Sequence, residues 1–233
     1  ALQHRGQESA GIAVLKGDRM QYYKEMGLVQ EVFNDDILNR LPADIGIGHV
    51  RYSTTGDSYV SNAQPLVVKY KGGSIALAHN GNLVNAIEIR NRLEDEGSIF
   101  QTSIDSEVIA NLIAKNYKLG MKEAVIESVK EIKGAYALVI MIDHMLIGVR
   151  DPNGLRPLSI AKMDGGYVLA SETCAHDVVG AEFVRDVEPG EIVIITEDGI
   201  ESILFSQGCR KAICSFEYVY FARPDSIIDG KDV

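Results

Sequence analysis

The sequence predicts an α+β fold in which strands, then helices, then strands again share one core. Short apolar runs separated by Gly and Asp dominate residues 11–79 and 135–205, as is typical of strands. Between these two blocks, apolar residues recur at helical spacing. The chain has 233 residues, of which 46% are apolar, so it is long enough for one substantial domain. This order of elements indicates sheets and helices packed in layers.

The first block is predicted to contain five strands. Each is a short apolar or alternating run bounded by residues that favour turns. The predicted strands cover residues 11–16, 20–25, 45–50, 66–70 and 74–79.

Three helices are predicted to follow. The first covers residues 83–96, because apolar residues repeat there at helical spacing and Gly97 is a typical stop signal. The other two cover residues 105–118 and 121–133 by the same pattern.

The second block returns to strands. They are predicted at residues 135–142, 145–149, 167–171, 191–196 and 200–205, and one short helix at residues 174–180 interrupts them. The sequence contains no internal repeat, no low-complexity segment and no linker before about residue 226.

Composition narrows the class of protein. The formal charge of −10 comes without a Lys/Arg cluster, which argues against nucleic acid or an anionic membrane as partner. Neither a membrane-length apolar run nor a signal pattern is present, so we expect a soluble, cytoplasmic protein. Cys174, Cys209 and Cys214 are odd in number and lack CxxC spacing, as expected of reduced thiols.

The segment GHVRYSTTG at residues 48–56 places polar groups directly after a predicted strand. Arg51 is followed by three hydroxyl residues, and this combination suits a carboxylate, because the planar guanidinium bonds both oxygens. Residues 56–62 predict a loop of the kind that closes over a ligand. The alternatives are a surface arginine before a Thr-rich turn and an ordinary solvated loop.

Asn80-Gly81 follows the strand predicted at residues 74–79. Asn-Gly is a strong hairpin signal, but a helical pattern follows it here, so we expect a strand-to-helix junction with exposed N–H donors. The Asn80 side-chain NH₂ and the Gly81 backbone N–H are the pair of donors that an oxyanion needs.

Asp105 lies where the second predicted helix begins, and either Ser103 or Asp105 is its predicted cap. The functional alternative is an anionic partner for a ligand ammonium group, although the residues alone favour the cap. Arg51, Asn80-Gly81 and Asp105 together indicate a pocket for a zwitterion, without a nucleophile.

Other chemistries have little support in the sequence. His49, His79 and His144 with Asp105 match no metal-ligand spacing, so packed or hydrogen-bonded histidines are the better interpretation. Phosphate-binding loops of the GxxxxGK[ST] or GxGxxG type are absent.

Several segments resemble a known family. HRGQESAG at residues 4–11, GHVRY at 48–52, AHNGNL at 78–83 and DSE at 105–107 resemble class II glutamine amidotransferase domains, which are N-terminal-nucleophile hydrolases. Three further segments narrow the resemblance to the glutamine phosphoribosylpyrophosphate amidotransferases, or amidophosphoribosyltransferases, which start purine synthesis. These are RDPNGLRPL at residues 150–158, SETCA at 171–175 and FEYVYFARPDS at 216–226.

The resemblance implies a four-layer αββα sandwich and a glutamine site. Arg51 would bind the glutamine α-carboxylate and Asp105 the α-ammonium, while Asn80 and the Gly81 N–H would bind the oxyanion. Thr54 and the loop at residues 56–62 would line and close the site.

Two departures from the family pattern concern the ends of the chain. The family's nucleophile is a cysteine at the mature N-terminus, whereas residue 1 here is Ala1 and the first cysteine is Cys174. We therefore interpret residues 1–226 as the class II domain without its N-terminal cysteine strand. Residues 227–233 are the expected start of a linker to a phosphoribosyltransferase domain that is absent here. As given, the chain is expected to be inactive.

Two alternatives remain open. The first is a nucleophile-free relative that binds glutamine as a regulatory module. The second is the glutaminase half of a hexosamine-phosphate synthase, in which residues 151–158 and 216–226 would not be expected.

The family also implies cofactors and partners. Cys214 is a candidate ligand of a [4Fe–4S] cluster in the full-length parent, since such clusters take four thiolates. Magnesium is expected in that parent as well, and no cofactor is expected in this chain. The expected partners are glutamine, the phosphoribosyltransferase domain of the same parent and further copies in a homo-oligomer.

Overall fold

The computed structural model describes residues 1–52 and 58–233. Its strands, in chain order, are β1 (Ser9–Lys16), β2 (Arg19–Met26), β3 (Ile45–Arg51), β4 (Leu66–Tyr70), β5 (Gly73–Leu83), β6 (Gly134–Ile142), β7 (Met145–Arg150), β8 (Ser159–Met163), β9 (Gly166–Ala170), β10 (Glu182–Asp186), β11 (Glu191–Thr196), β12 (Gly199–Leu204), β13 (Ile227–Ile228) and β14 (Lys231–Asp232).

The helices are more unequal in length than the strands. The α-helices are α1 (Val29–Val32), α2 (Asp35–Leu38), α3 (Ala86–Asp95), α4 (Ser106–Asn116), α5 (Met121–Glu131) and α6 (Thr173–Val179). Shorter turns of 3₁₀-helix lie at Gln3–Arg5, Val60–Asn62 and Tyr117–Leu119, and a π-helical turn lies at Glu217–Phe221. None of the helices in these described ranges is long and apolar enough to cross a membrane.

The described strands form one large antiparallel sheet, two smaller ones and the separate two-stranded pair β13–β14. The large sheet has six strands in the order β12-β11-β7-β6-β5-β4. The smaller sheets have three strands each, in the orders β2-β1-β3 and β10-β8-β9. β3 and β9 are therefore edge strands.

The central strand β5 shows why the sheets stack as they do. Ile75 and Leu77 belong to the cluster that packs against α4 and α5, whereas Ala76 and Ala78 pack against residues of β1 and β3. Because side chains alternate between the faces of a strand, helices cover one face of the large sheet and a second sheet covers the other. The small alanines at the sheet-to-sheet contact allow close packing.

The third cluster completes the layers. Ala137 of β6 and Val193 of β11 pack against Leu158 and Ile160 near β8, so the second small sheet covers the same face of the large sheet. α1 contacts β1, and α6 contacts β9 and β10. The order is thus helices, large sheet, small sheets, helices, and the αββα prediction is confirmed.

Some predicted boundaries were wrong. The first predicted helix begins at Ala86 rather than at residue 83, because β5 continues to Leu83 and pairs with β6 from Ile75 to its end. The sequence analysis also missed α1, α2, β8 and β10.

The C-terminal residues carry their own contacts. Residues 227–233 contain the β13–β14 hairpin, in which Ile228 is buried and Asp229 forms an ion pair with the buried Arg150. The proposed domain boundary at residue 226 stays a prediction.

Candidate functional site

A cavity of about 450 Å³ lies between the edge strands of the two small sheets. Gly48, His49 and Val50 of β3 line one side, and residues 168–170 of β9 line the other. Asn80, Gly81 and Asp105 lie on its wall, so three of the predicted site residues share one cavity. A volume of this size falls in the range of small-molecule sites.

The Asn80-Gly81 pair lies within β5 rather than in a junction after it. Asn80 is paired with Ala137 and Gly81 with Tyr136 of β6. The predicted strand-to-helix turn was therefore wrong, and the physical reason is that β6 provides a strand partner beyond the predicted end of β5. Periodicity within a single segment does not report such a distant partner.

One edge of β5 supplies the donor. The β4–β5 pairing ends at Leu77, so beyond this residue that edge has no neighbouring strand in the described structure. The His79 N–H donates to Gln64 Oε1 at 2.7 Å, and the Leu83 N–H donates to Asp105 Oδ2 at 2.8 Å. Since N–H groups of alternate residues point to the same edge, the Gly81 N–H lies between these two on the cavity side.

Glycine is required at position 81. Its φ of +152° lies in a region that residues with side chains rarely adopt. A Cβ built there would also overlap the Ala135 carbonyl. The tight approach to β6 and the unusual φ explain why the strand contains a glycine beside the donor.

The Asn80 side chain completes the donor pair. Asn80 follows Ala76 and Ala78 at every second position, so its side chain faces the small sheets and the cavity between them. Its Nδ2 atom is buried and has no hydrogen-bond partner among the described residues. A buried, unpartnered NH₂ group is costly unless another group accepts from it, so this donor is available for a ligand.

Asp105 holds β5 instead of capping α4. It occupies the N-cap position, but its side chain makes no capping hydrogen bond, so the predicted cap was wrong. Its carboxylate instead accepts from the Leu83 N–H and lies 3.5 Å from His79 Nδ1. Burial by itself would raise the pKa of Asp105, but the hydrogen bonds from His79 and Leu83 outweigh burial and hold it below its usual value.

The rest of the DSE segment supports the same region. Ser106 Oγ lies 3.0 Å from His79 Nδ1. Buried Glu107 accepts hydrogen bonds from the Gln101 and Thr102 N–H groups. Each side chain of this segment therefore orders the strand or loop next to the cavity.

Arg51 lies at the end of β3 and is 4% exposed. Its Nη1 donates to Glu8 Oε1 at 2.9 Å. Arg51 is not among the described residues that line the cavity, although its neighbours Val50 and Tyr52 are. Thr54 and residues 56–57 of the predicted loop lie outside the described residues. The roles of Arg51 and Thr54 stay predictions.

His49 is a neutral group on the cavity wall. Burial lowers its pKa to about 3, and the nearby positive charge of Arg51 adds to this effect. The imidazole is therefore uncharged at neutral pH, so His49 does not supply a positive charge for binding an anion.

A charged cluster beside the cavity was missed by the sequence analysis. Arg5 lines the cavity and donates to Glu172 at 2.6 Å and to Glu217 at 2.7 Å. Arg156 also lines it and donates to Glu217 at 2.8 Å. Both guanidinium groups lie over the Phe221 ring. These residues come from distant parts of the chain, so only the family segments that contain them hinted at their proximity.

The cysteines do not assemble a metal centre in the described part of the chain. Cys174 is buried beside Glu172, Cys209 is exposed and Cys214 is partly buried. No group of three or more His, Cys, Asp or Glu side chains in that part could hold a metal ion. A [4Fe–4S] cluster takes four thiolates, and Cys214 would provide one of them. Its role as a ligand stays a prediction.

Comparison with known proteins shows which family this chain resembles in sequence. A family model described as a glutamine amidotransferase domain matches residues 49–176. The amidophosphoribosyltransferase of Bacillus subtilis strain 168 is 51% identical over 234 residues, covering 100% of this chain and 49% of that protein. The amidophosphoribosyltransferase of Archaeoglobus fulgidus is 50% identical over 235 residues, covering 100% of this chain and 51% of that protein.

A solved structure shows the same fold. The glutamine phosphoribosylpyrophosphate amidotransferase from B. subtilis, complexed with ADP and GMP, superposes with a TM-score of 0.94 at 50% identity. The alignment covers 99% of this chain and 50% of that one. The chain thus spans about half the length of the curated relatives that it matches.

Proposed function

Because this chain belongs to the glutamine amidotransferase domain family, we propose that it forms the glutaminase part of an amidophosphoribosyltransferase. That enzyme hydrolyses glutamine to glutamate and passes ammonia to phosphoribosyl pyrophosphate, which yields 5-phosphoribosylamine and pyrophosphate. The observation that carries the proposal is the free edge of β5. There the Gly81 N–H lies between two satisfied N–H groups, next to Asn80 Nδ2, which has no hydrogen-bond partner among the described residues.

These two donors suit the hydrolysis of an amide. Attack on the carboxamide carbon of glutamine converts its carbonyl oxygen into an oxyanion. Asn80 Nδ2 and the Gly81 N–H would donate to that oxygen, and they are held in place before the reaction begins. Removing one such donor typically costs about 10²- to 10³-fold in kcat.

The ends of the substrate would be recognised by charge. The lowered pKa of Asp105 keeps its carboxylate ionised at neutral pH, as binding of the α-ammonium requires. Arg51 would bind the α-carboxylate together with Thr54. Support for Arg51 comes from its burial at the end of β3, next to residues of the cavity wall.

The nucleophile would come from outside the described cavity wall. None of the described residues that line the cavity is a cysteine. The family uses an N-terminal cysteine, whose thiolate attacks while its α-amino group serves as base. The facing edges of β3 and β9 leave backbone groups open on both sides of the cavity, so an extended segment carrying that cysteine would find partners there.

The test compares two proteins. The purified 233-residue chain is incubated with glutamine, and we expect no glutamate above a buffer blank. The full-length protein with an N-terminal cysteine is assayed in parallel; we expect glutamate, and replacement of that cysteine by alanine should abolish its formation. Absence of turnover by the full-length protein would contradict the glutaminase proposal. Turnover by the 233-residue chain would instead contradict the inference that the nucleophile comes from outside the described cavity wall.

A second candidate is a nucleophile-free module that binds glutamine without hydrolysing it. The Asn80, Gly81 and Asp105 groups on the cavity wall would serve such binding as well as they would serve hydrolysis. The sequence of the native N-terminus separates the two candidates. A mature Cys-Gly start upstream supports the enzyme, whereas a start near Ala1 supports the binding module.

The partner of the glutaminase part would be a phosphoribosyltransferase domain of the same protein. The supporting fact is that the chain spans only about half of each relative. From the same resemblance we also propose homo-oligomeric assembly, a [4Fe–4S] cluster with Cys214 as one ligand, and magnesium in the full-length parent. The proposed cytoplasmic location rests on the composition of the chain. Iron and sulfide analysis of the full-length protein, prepared anaerobically, tests the cluster.

A further inference from the structure

The side chain of Gln64 takes the place of a missing strand beside β5. The β4–β5 register pairs Leu66 with Leu77, so Gln64 lies opposite His79 if that register is continued. Pro65 intervenes, and it has no N–H to donate to the ladder. β4 accordingly begins only at Leu66.

At this position Gln64 makes with its side chain the two hydrogen bonds that a strand would make with its backbone. Its Oε1 accepts from the His79 N–H at 2.7 Å, and its Nε2 donates to the His79 carbonyl at 3.3 Å. Both residues are buried. The carboxamide therefore fixes the peptide groups on both sides of His79, directly before Asn80.

Packing holds Gln64 itself in place. A Cβ built on Gly11 of β1 would overlap the Gln64 carbonyl oxygen, so the glycine permits close contact between β1 and this residue. Lys24 Nζ donates to the Ala63 carbonyl at 2.6 Å, directly before Gln64. The carboxamide is thus anchored from both sides instead of lying on a freely moving loop.

We propose that Gln64 is a positioning residue that fixes the Asn80 and Gly81 donors by hydrogen-bonding both backbone groups of His79. Asp105 restrains the same edge of β5 at Leu83, on the far side of Gly81. The backbone is thus held by Gln64 on one side of the Gly81 N–H and by Asp105 on the other. This inference rests on the proposed glutaminase function, in which these donors bind the oxyanion.

The consequence is a specific kinetic signature. Donors aimed at the oxyanion act mainly in the transition state, so a small displacement lowers kcat more than it raises KM. A misplacement of about 1 Å typically costs about 10²-fold in rate. A purely structural role for Gln64 would instead lower the melting temperature and leave kcat per folded molecule unchanged.

The test uses the full-length protein with variants of matched size. Gln64→Met keeps the length and packing but removes both hydrogen bonds; we expect kcat for glutamine hydrolysis to fall about 10- to 100-fold and KM to change less than about threefold. Gln64→Glu retains the acceptor for the His79 N–H but places a carboxylate oxygen against the His79 carbonyl, so kcat should fall in this variant as well. Gln30→Met, at an exposed position in α1, is the control and should stay within about twofold of the unsubstituted protein.

Hydrogen–deuterium exchange of a peptide covering residues 75–83 provides a readout independent of activity. We expect faster exchange in Gln64→Met than in the unsubstituted protein. Unchanged exchange, or unchanged kcat in folded Gln64→Met, would overturn the role of Gln64. Inactivity of the unsubstituted protein would refute the glutaminase proposal instead, and the exchange experiment would still decide whether Gln64 holds this edge. If Gln64→Met does not fold, Gln64→Glu provides the test. An unreduced kcat in Gln64→Glu would then overturn the positioning role of Gln64.

Discussion

The buried carboxylate of Glu172 leads to a quantitative prediction about acid stability. It accepts hydrogen bonds from Arg5 Nη1 at 2.6 Å, the Arg223 N–H at 2.9 Å and Ser226 Oγ at 2.8 Å, and His4 Nε2 lies 2.8 Å away. The Glu172 side chain is fully shielded from solvent. Its ionised form is thus surrounded by donors, and protonation would break several charge-assisted contacts at once.

The magnitude follows from the pKa. Burial would raise the pKa of Glu172, but the donors from Arg223, Arg5, His4 and Ser226 outweigh burial and lower it from 4.5 to about 2. This difference corresponds to about 3 kcal/mol of stability at neutral pH. Because the unfolded state binds the proton more readily, that contribution is present above pH 4.5 and is lost as the pH falls towards 2.

Glu172→Gln removes the titration and keeps the shape. We expect its free energy of unfolding to be about 3 kcal/mol below that of the unsubstituted protein at pH 7, and the difference to shrink as the pH falls from about 4.5 towards 2. Urea unfolding followed by far-UV circular dichroism measures it, since the chain has no tryptophan. Exposed Glu88→Gln is the charge-matched control and should show no such trend. A difference that is the same at pH 7 and pH 3 would refute the reasoning.

Three further predictions concern residues around the cavity. Gly81→Ala should destabilise the protein by about 3 kcal/mol or more in thermal unfolding, because residue 81 has a φ of +152° and a Cβ there would overlap the Ala135 carbonyl. Gly166→Ala is the control and should change stability little, since the space around Gly166 is open. Equal effects of the two substitutions would contradict the packing argument. Glu217→Ala should lower the free energy of unfolding in urea by about 3–5 kcal/mol, since it removes the buried carboxylate that two guanidinium groups share. A decrease no larger than that of a surface Glu→Ala substitution would contradict this prediction. NMR titration of His49 should show a neutral imidazole from pH 8 down to about pH 4, and protonation near pH 6.5 would show that the site is better solvated than the structure indicates.

The fold was largely predictable because its signals are local. β4 and β11 were predicted with the bounds that the structure shows, since each is a short apolar run between turn residues. β10 was missed because its sequence, EFVRD, carries little apolar pattern and its neighbour β8 provides the pairing. β8 itself was missed because its five residues, SIAKM, form only a short and weak apolar pattern.

The site was predictable in its residue types but not in its backbone. The Asn-Gly pair and the carboxylate at position 105 were identified as candidate binding groups. The residues alone favoured a turn and a helix cap for them, because local rules describe a segment without its neighbours. Pairing with β6 changed the turn into strand, and the free edge of β5 redirected Asp105 from its own helix to the Leu83 N–H.

The charged cluster explains how the segment at residues 216–226 is held beside the cavity. Glu217 accepts from two arginines that line the cavity, and the Phe221 ring packs under both guanidinium groups. The Arg223 N–H and Ser226 Oγ donate to Glu172, which also binds Arg5. Because Arg5 is shared by both carboxylates, the position of this segment and the shape of the cavity wall are fixed by the same ion pairs. A change in the segment that moved Glu217 away would remove the carboxylate that binds the Arg5 and Arg156 guanidinium groups at the cavity. The segment at residues 216–226, although distant in sequence from Asn80, therefore helps to build the same cavity wall.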